Sequence, residues 1–296
     1  MAGYALSCCS TVDLTHEWLE RRSITYLCFN YQLGDKTHKD DFGVTTPPAQ
    51  LYAKMLAGED VKTSQISAGE YLEHFERFLK QGQDVLHVCL STGISGTYGS
   101  ACAAAEELSR KYPERKVLVV DSLAASSGYG LLMDKLADLR DEGMGVEELA
   151  TWATEHREEV NHWFFSSDLT FFVRGGRISR AAGVMGGLLK ICPVMDVAPD
   201  GSLRVKEKIR TKARAIARDL ELMEQLAEGG LDYDQKCFIC QSECLDDARE
   251  LARRVEEKFP KLDGRVEIFP IGATIGCHTG PGTVALFFWG KPRTQQ

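Results

Sequence analysis

The stretch from residue 85 to residue 120 admits few folds. Residues 85–90 (V-L-H-V-C-L) form an unbroken apolar run of strand length, as a strand buried on both faces requires. Residues 97–111 have the composition and length of a helix, and 116–120 are a second apolar strand. A strand, helix and strand of this length make a crossover unit, which joins parallel strands and lays the helix on the sheet. Upstream, Ser67 and Glu70 form a capping box ahead of a helix whose Tyr71, Leu72, Phe75, Phe78 and Leu79 make one apolar face. Downstream, 123–140 and 146–160 read as helices. The first half is therefore expected to be an α/β unit with a doubly wound parallel sheet, a fold that takes ligands at the carboxyl ends of its strands. At such an end lies S-T-G-I-S-G-T, residues 91–97. Its small residues let a ligand approach the backbone, and the first amides of the following helix attract an anion.

The pattern changes near residue 161. A strand at 162–166 precedes Phe171, Phe172 and the turn-rich R-G-G-R-I, then a small-residue stretch at 181–189. A hairpin follows, in which M-D-V-A and L-R-V-K-E-K flank Pro199, Asp200 and Gly201. A helix at 211–228, a strand at 236–241, a helix at 245–259 and a strand at 265–269 complete an α+β pattern. At 296 residues the chain exceeds the usual size of one core, so two domains are expected, 1–160 and 161–296.

The net charge of −8 argues against a nucleic-acid binder. No apolar run reaches the length of a membrane span, and M-A-G-Y-A-L-S-C-C-S lacks the basic region and apolar core of a signal peptide, so a cytoplasmic location is expected. In that compartment the ten cysteines read as reduced thiols. Cys237, Cys240 and Cys244 form C-x-x-C-x-x-x-C, yet no fourth ligand lies nearby and K-C-F-I-C-Q has the pattern of a buried strand. No metal or cofactor is expected.

Four stretches carry polar groups suited to chemistry: S-C-C-S-T-V-D-L at 7–14, K-T-S-Q at 62–65, the 91–97 loop, and G-C-H-T-G-P-G at 276–282. Each has a structural alternative. Thr63 and Ser64 could end a loop, Ser95 could cap the next helix, and His278 could be a hydrogen-bonding core histidine.

In combination these stretches resemble the DegV family, whose members include the fatty-acid-binding subunits of bacterial fatty acid kinase. The resemblance runs from about Ser10 to Trp289 and rests on T-S-Q at 63–65, S-G-T-Y-G-S-A at 95–101, V-V-D-S at 119–122, R-G-G-R-I-S at 174–179 and I-G-C-H-T-G-P-G at 275–282. It implies that Thr63, Ser95 and His278 bind a fatty acid carboxylate, with Ser64, Gly96, Thr97 and Arg174 at the ligand mouth or in partner contact. Hydroxyls and an imidazole can hold a carboxylate without a full buried positive charge. The acyl chain would run into an apolar tunnel between the domains, for which Ile94, Phe171, Val184, Met185, Leu188 and Leu189 are candidates, ordinary core being the alternative for each. Burying hydrocarbon yields about 0.8 kcal/mol per methylene, so the tail supplies most of the affinity and the head sets orientation.

The implied partners are a long-chain fatty acid and a separate fatty acid kinase catalytic subunit, with a transient membrane contact, and the acyl phosphate formed would pass to phospholipid synthesis. The protein itself would bind without catalysing. One departure stands out: where the family has T-D-S, this chain has Cys8, Cys9 and Ser10, which puts in question the polar network the aspartate supports. Three rival readings are a lipid-sensing regulator without a kinase, a serine hydrolase using His278 as base, and a nucleotide-binding enzyme. The hydrolase lacks the G-x-S-x-G elbow, and the nucleotide site lacks both the P-loop lysine and a G-x-G-x-x-G.

Overall fold

The structure, a computed structural model, describes residues 3–179 and 191–296. In chain order the first elements are β1 (Tyr4–Cys9), α1 (His16–Arg21), β2 (Ile24–Leu27), β3 (Asn30–Leu33), β4 (Lys36–Lys39), α2 (Pro48–Leu56), β5 (Val61–Ser64) and α3 (Ala68–Leu79). Then come β6 (Asp84–Cys89), α4 (Thr97–Lys111), β7 (Val117–Asp121), α5 (Ser126–Asp141), α6 (Val146–His156), β8 (Val160–Ser166) and α7 (Thr170–Arg174). After the undescribed segment follow β9 (Ile191–Val197), β10 (Leu203–Arg210), α8 (Lys212–Leu226), β11 (Phe238–Gln241), α9 (Leu245–Lys258), β12 (Glu267–Pro270), α10 (Ala273–Thr279) and β13 (Thr283–Trp289).

Parallel pairing in the order β2-β1-β6-β7 gives the sheet expected from the crossover pattern. β6 is buried along nearly its whole length, as its continuous apolar sequence requires. A separate six-stranded sheet has the order β10-β9-β8-β13-β11-β12 and is antiparallel except between β11 and β12. The hairpin around Pro199, Asp200 and Gly201 is the β9–β10 pair. Helix α5 packs on β8, β11 and β13 of the mixed sheet, and its Tyr129 hydroxyl accepts from the Cys9 amide and donates to the Val88 carbonyl of the parallel sheet, so it links the two. Buried Tyr129, Leu132 and Met133 show that little of it meets solvent. The fold is thus mixed α/β, a parallel-sheet unit beside a unit built on a mixed sheet.

Local details depart from the sequence expectations. The 123–140 helix begins at Ser126, because Asp121 accepts from the Leu123 amide (3.0 Å) and the Ser122 hydroxyl from the Ala124 amide (3.1 Å), forming turns that compete with a helix. The 146–160 helix stops at His156, since Val160 already pairs in β8. Residues 30–64, unassigned from sequence, contain a three-stranded antiparallel sheet of order β4-β3-β5. Each of its strands has four residues, too few for an alternation to declare itself. The capping box is present: Ser67 Oγ accepts from the Glu70 amide (3.2 Å) and Glu70 Oε2 from the Ser67 amide (2.9 Å). K-C-F-I-C-Q supplies β11, with Cys237 and Cys240 both buried. No helix among the described residues is long and apolar enough to cross a membrane.

Candidate functional site

Between the two sheets lies a cavity of about 240 Å³. Its walls are mostly apolar: Phe164, Ala285 and Phe287 from one face of the mixed sheet, Leu90 and Ile94 from β6 and its loop, and Phe172 from α7. Ala285 and Phe287 are two apart on β13 and so share a face. Thr63, Gln65, Ser95, Gly96, Arg177 and His278 contribute one set of polar groups to the lining, and Ser126, His162, Thr274, Thr279 and Thr283 contribute others.

Three chain regions build the first set. Thr63 is on β5, Ser95 and Gly96 precede α4, and His278 occupies the last turn of α10. Thr63 Oγ1 and His278 Nε2, 215 residues apart, are hydrogen-bonded at 2.8 Å. Burial first, and the Arg177 guanidinium second, lower the His278 pKa to about 4, so the imidazole is neutral at pH 7. Its Nδ1 is buried and makes no hydrogen bond, and packs against Gly175, where an added Cβ would sit only 2.2 Å away. With the proton on Nε2, His278 donates to Thr63 and leaves the threonine hydroxyl free to donate outward. Ser95 Oγ accepts from the Thr97 amide at 3.3 Å, a local turn just ahead of the Gly96 N-cap of α4, and keeps its own proton for another acceptor.

Two glycines of the 91–97 loop make room for protein. A Cβ on Gly93 would lie 2.3 Å from the Gly201 carbonyl carbon, and one on Gly96 would lie 2.6 Å from Gln65 Oε1. The β9–β10 turn thus docks on the loop that the sequence suggested was open to a ligand, and Ser91 Oγ donates to the Gly201 carbonyl (2.8 Å). Arg177 ties the loop from the other side, its Nε and Nη2 donating to the Ile94 carbonyl (3.3 and 3.1 Å) and Nη1 to the Gly175 carbonyl (2.6 Å).

Near Cys9 and Ser10 the buried polar contacts are made by Asp40 and Asp13. Asp40 accepts from the Ala273 and Thr274 amides (3.0 and 3.1 Å) and from Ser10 (3.3 Å). Asp13 accepts from the Gly272 amide (3.0 Å) and from Ser126 Oγ. Two buried carboxyls thereby fix the start of α10, the helix that carries His278. Burial pushes both carboxyl pKa values up, and the amide and hydroxyl hydrogen bonds oppose it. Cys9 itself is buried against the Tyr71 hydroxyl (3.4 Å) and His87 Nε2 (3.6 Å), with Cys8 buried beside it.

Of the residues singled out from sequence, Thr63, Ser95, Gly96, His278 and Ile94 line the cavity. Four others lie elsewhere among the described contacts. Thr97 is buried with its hydroxyl on Tyr71 (2.8 Å), because the first turn of α4 directs it into the core. Ser64 is exposed at the end of β5, opposite in face to Thr63. Arg174 is half-exposed and pairs with Asp60 at 3.5 Å. Phe171 packs with Tyr31, Leu51, Tyr52 and Cys277 in a second small core, while Phe172 lines the cavity. Consecutive helical residues diverge by about 100°, and the sequence could not choose between them. Val184, Met185, Leu188 and Leu189 lie outside the described residues. Gln65, Arg177 and Ser126 were missed, although the first two stand inside T-S-Q and R-G-G-R-I-S.

A sequence profile described as "Uncharacterised protein, DegV family" matches residues 9–291. A DegV domain-containing protein of Clostridium perfringens is 33% identical over 284 residues, 96% of each chain. A solved DegV family protein of Thermus thermophilus, described by its fatty acid binding, superposes with TM-score 0.86 at 26% identity, covering 98% of this chain and 100% of that one. A Thermotoga maritima protein whose structure reveals a fatty acid binding function gives 0.83 at 25% identity, again covering 98% and 100%. The protein described here belongs to the DegV family.

Proposed function

We propose that this protein is a cytoplasmic fatty acid carrier that buries the acyl chain in the cavity between its sheets and presents the carboxylate at the Thr63, Ser95 and His278 opening. One observation carries the reading: a neutral imidazole and a threonine hydroxyl, hydrogen-bonded at 2.8 Å, line a cavity whose walls are mostly apolar. A free carboxylate needs donors, and the Thr63 and Ser95 hydroxyls supply them. The tail needs an apolar enclosure, and each methylene buried there contributes about 0.8 kcal/mol. Fatty acid binding by the Thermus thermophilus and Thermotoga maritima relatives supports the same ligand class.

The carboxylate held in this way is the substrate for a separate kinase subunit, which transfers phosphoryl to it to form an acyl phosphate; that partner follows from the family resemblance. The carrier contributes binding and orientation. His278 Nδ1 faces Gly175 rather than a carboxylate, an arrangement that suits a binding histidine better than the oriented base of a hydrolase.

Native mass spectrometry of the purified protein, followed by organic extraction, tests the proposal. A released fatty acid near one per chain is the expected result. A chain that carries none and fails to take up added fatty acids overturns it.

A further inference from the structure

A second pocket of about 180 Å³ opens on the far side of the cavity wall, beneath the loop at residues 42–48. Among the described residues Ile271 alone lines both spaces. It is 2% exposed, and its amide donates to the Gln241 carbonyl at 2.9 Å, so its backbone is held as an extension of β12. The wall is also thin beside it: Ser126, which lines the cavity, donates directly to Asp13, which lines the pocket. The partition is therefore one side chain thick at Ile271 and two side chains thick at Ser126 and Asp13. On its outer side it meets Leu14, Phe42 and Pro48, apolar groups that could receive hydrocarbon.

We infer that Ile271 is the stop that limits acyl-chain length, and that the pocket beneath residues 42–48 is the space a longer chain enters when the stop is shortened. The inference rests on the carrier reading above. On this inference the preferred ligand is a chain whose methyl end reaches Ile271 with its carboxylate at Thr63 and His278. The next pocket begins immediately behind, and a small change at one residue resets the length.

The test is Ile271→Ala, challenged with an equimolar series of saturated fatty acids of increasing length and read by native mass spectrometry. The substitution deletes three carbons, so cavity enlargement alone lengthens the preferred chain by at most about three carbons. Opening into the pocket lengthens it by more. Ile275→Ala removes the same three carbons from a residue that lines only the cavity, and stays within that limit. Hydrogen–deuterium exchange supplies the second readout: residues 42–48 gain protection with the longer acids in Ile271→Ala and not in the unsubstituted protein. If Ile271→Ala folds poorly, Ile271→Val, which deletes one methyl, is read in the same way for a smaller shift. A length profile unchanged by Ile271→Ala, or a shift without protection at 42–48, overturns the inference while leaving the carrier reading intact. Failure of the unsubstituted protein to take up any fatty acid removes the carrier reading itself.

Discussion

Replacing Gly175 with alanine would test the His278 contact without removing a polar atom. Gly175 has φ −73° and ψ −8°, ordinary helical values that alanine accepts, so the backbone exacts no penalty. The added methyl would sit 2.2 Å from His278 Nδ1 and 3.1 Å from the Phe171 carbonyl oxygen. Restoring van der Waals separation moves the imidazole by about 1 Å, and its 2.8 Å bond to Thr63 tolerates neither lengthening nor shortening by that amount. Overpacking of this kind costs about 1–3 kcal/mol of stability. If the Thr63 and His278 pair orients the carboxylate, the ligand loses a hydrogen bond to a charged group, worth about 1.5–3 kcal/mol, or roughly 10- to 150-fold in affinity. The assay is competition against a fluorescent fatty acid, with thermal unfolding of the ligand-free protein measured in parallel. Gly99→Ala is the control, because nothing lies within 4 Å of a Cβ there. Affinity within about twofold of the original, in a variant whose crystal structure shows the ring displaced, would refute the role given to His278.

Ser95→Ala should cost no more than about 1 kcal/mol of stability, the value of a helix-terminal hydroxyl, yet slow fatty acid retention and phosphorylation by a cognate kinase; unchanged retention and phosphorylation count against the site. Gly201→Ala should destabilise by about 1–3 kcal/mol in urea unfolding, because its φ of +78° disfavours a side chain and the methyl would lie 2.0 Å from Ser91 Oγ. Burial and Arg177 hold His278 at about 4, and burial, with His87 next, holds His74 at about 2. Both stay neutral in the fold, while the unfolded chain protonates them near pH 6.5. The stability they maintain is thus present above that pH and falls with acidification, by up to about 1.4 kcal/mol per pH unit for each. His278→Gln should flatten the fall between pH 6.5 and 4 by one such share in urea titrations at stepped pH, and an unchanged slope would show that His278 is already protonated in the native state.

The crossover pattern from 85 to 120 specifies the parallel sheet because strand burial and helix composition are local properties, and the hairpin at 199–201 is legible for the same reason. The sheet at 30–64 is not, since K-T-H-K and N-Y-Q-L carry half-polar residues whose pairing depends on one another. Thr63 and His278 each look like ordinary structural residues in their own segments. Only the order of motifs along the whole chain brings them together, because 215 residues separate them. Arg177 was within reach: it stands three residues from Arg174 in the same motif. Choosing between the two arginines required knowing that the chain turns at Gly176, whose φ is +71°, and sends Arg177 back toward Ile94.

The same contacts make the opening a product of tertiary assembly. Gly93 receives the hairpin turn, Gly96 receives Gln65, and Gly175 receives His278, so these three glycines mark places where distant segments meet. Arg177 and Ser91 then join the 91–97 loop to the unit built on the mixed sheet through backbone carbonyls, which fix the loop's position. A carboxylate arriving between Thr63 and Ser95 would bridge hydroxyls from β5 and from the loop before α4, with His278 of α10 braced behind Thr63. Binding energy from such a bridge appears only when all three segments are docked. Ligand occupancy and the docking of the two units should therefore reinforce each other, with the bound acid raising the unfolding temperature in proportion to the logarithm of its concentration over the dissociation constant.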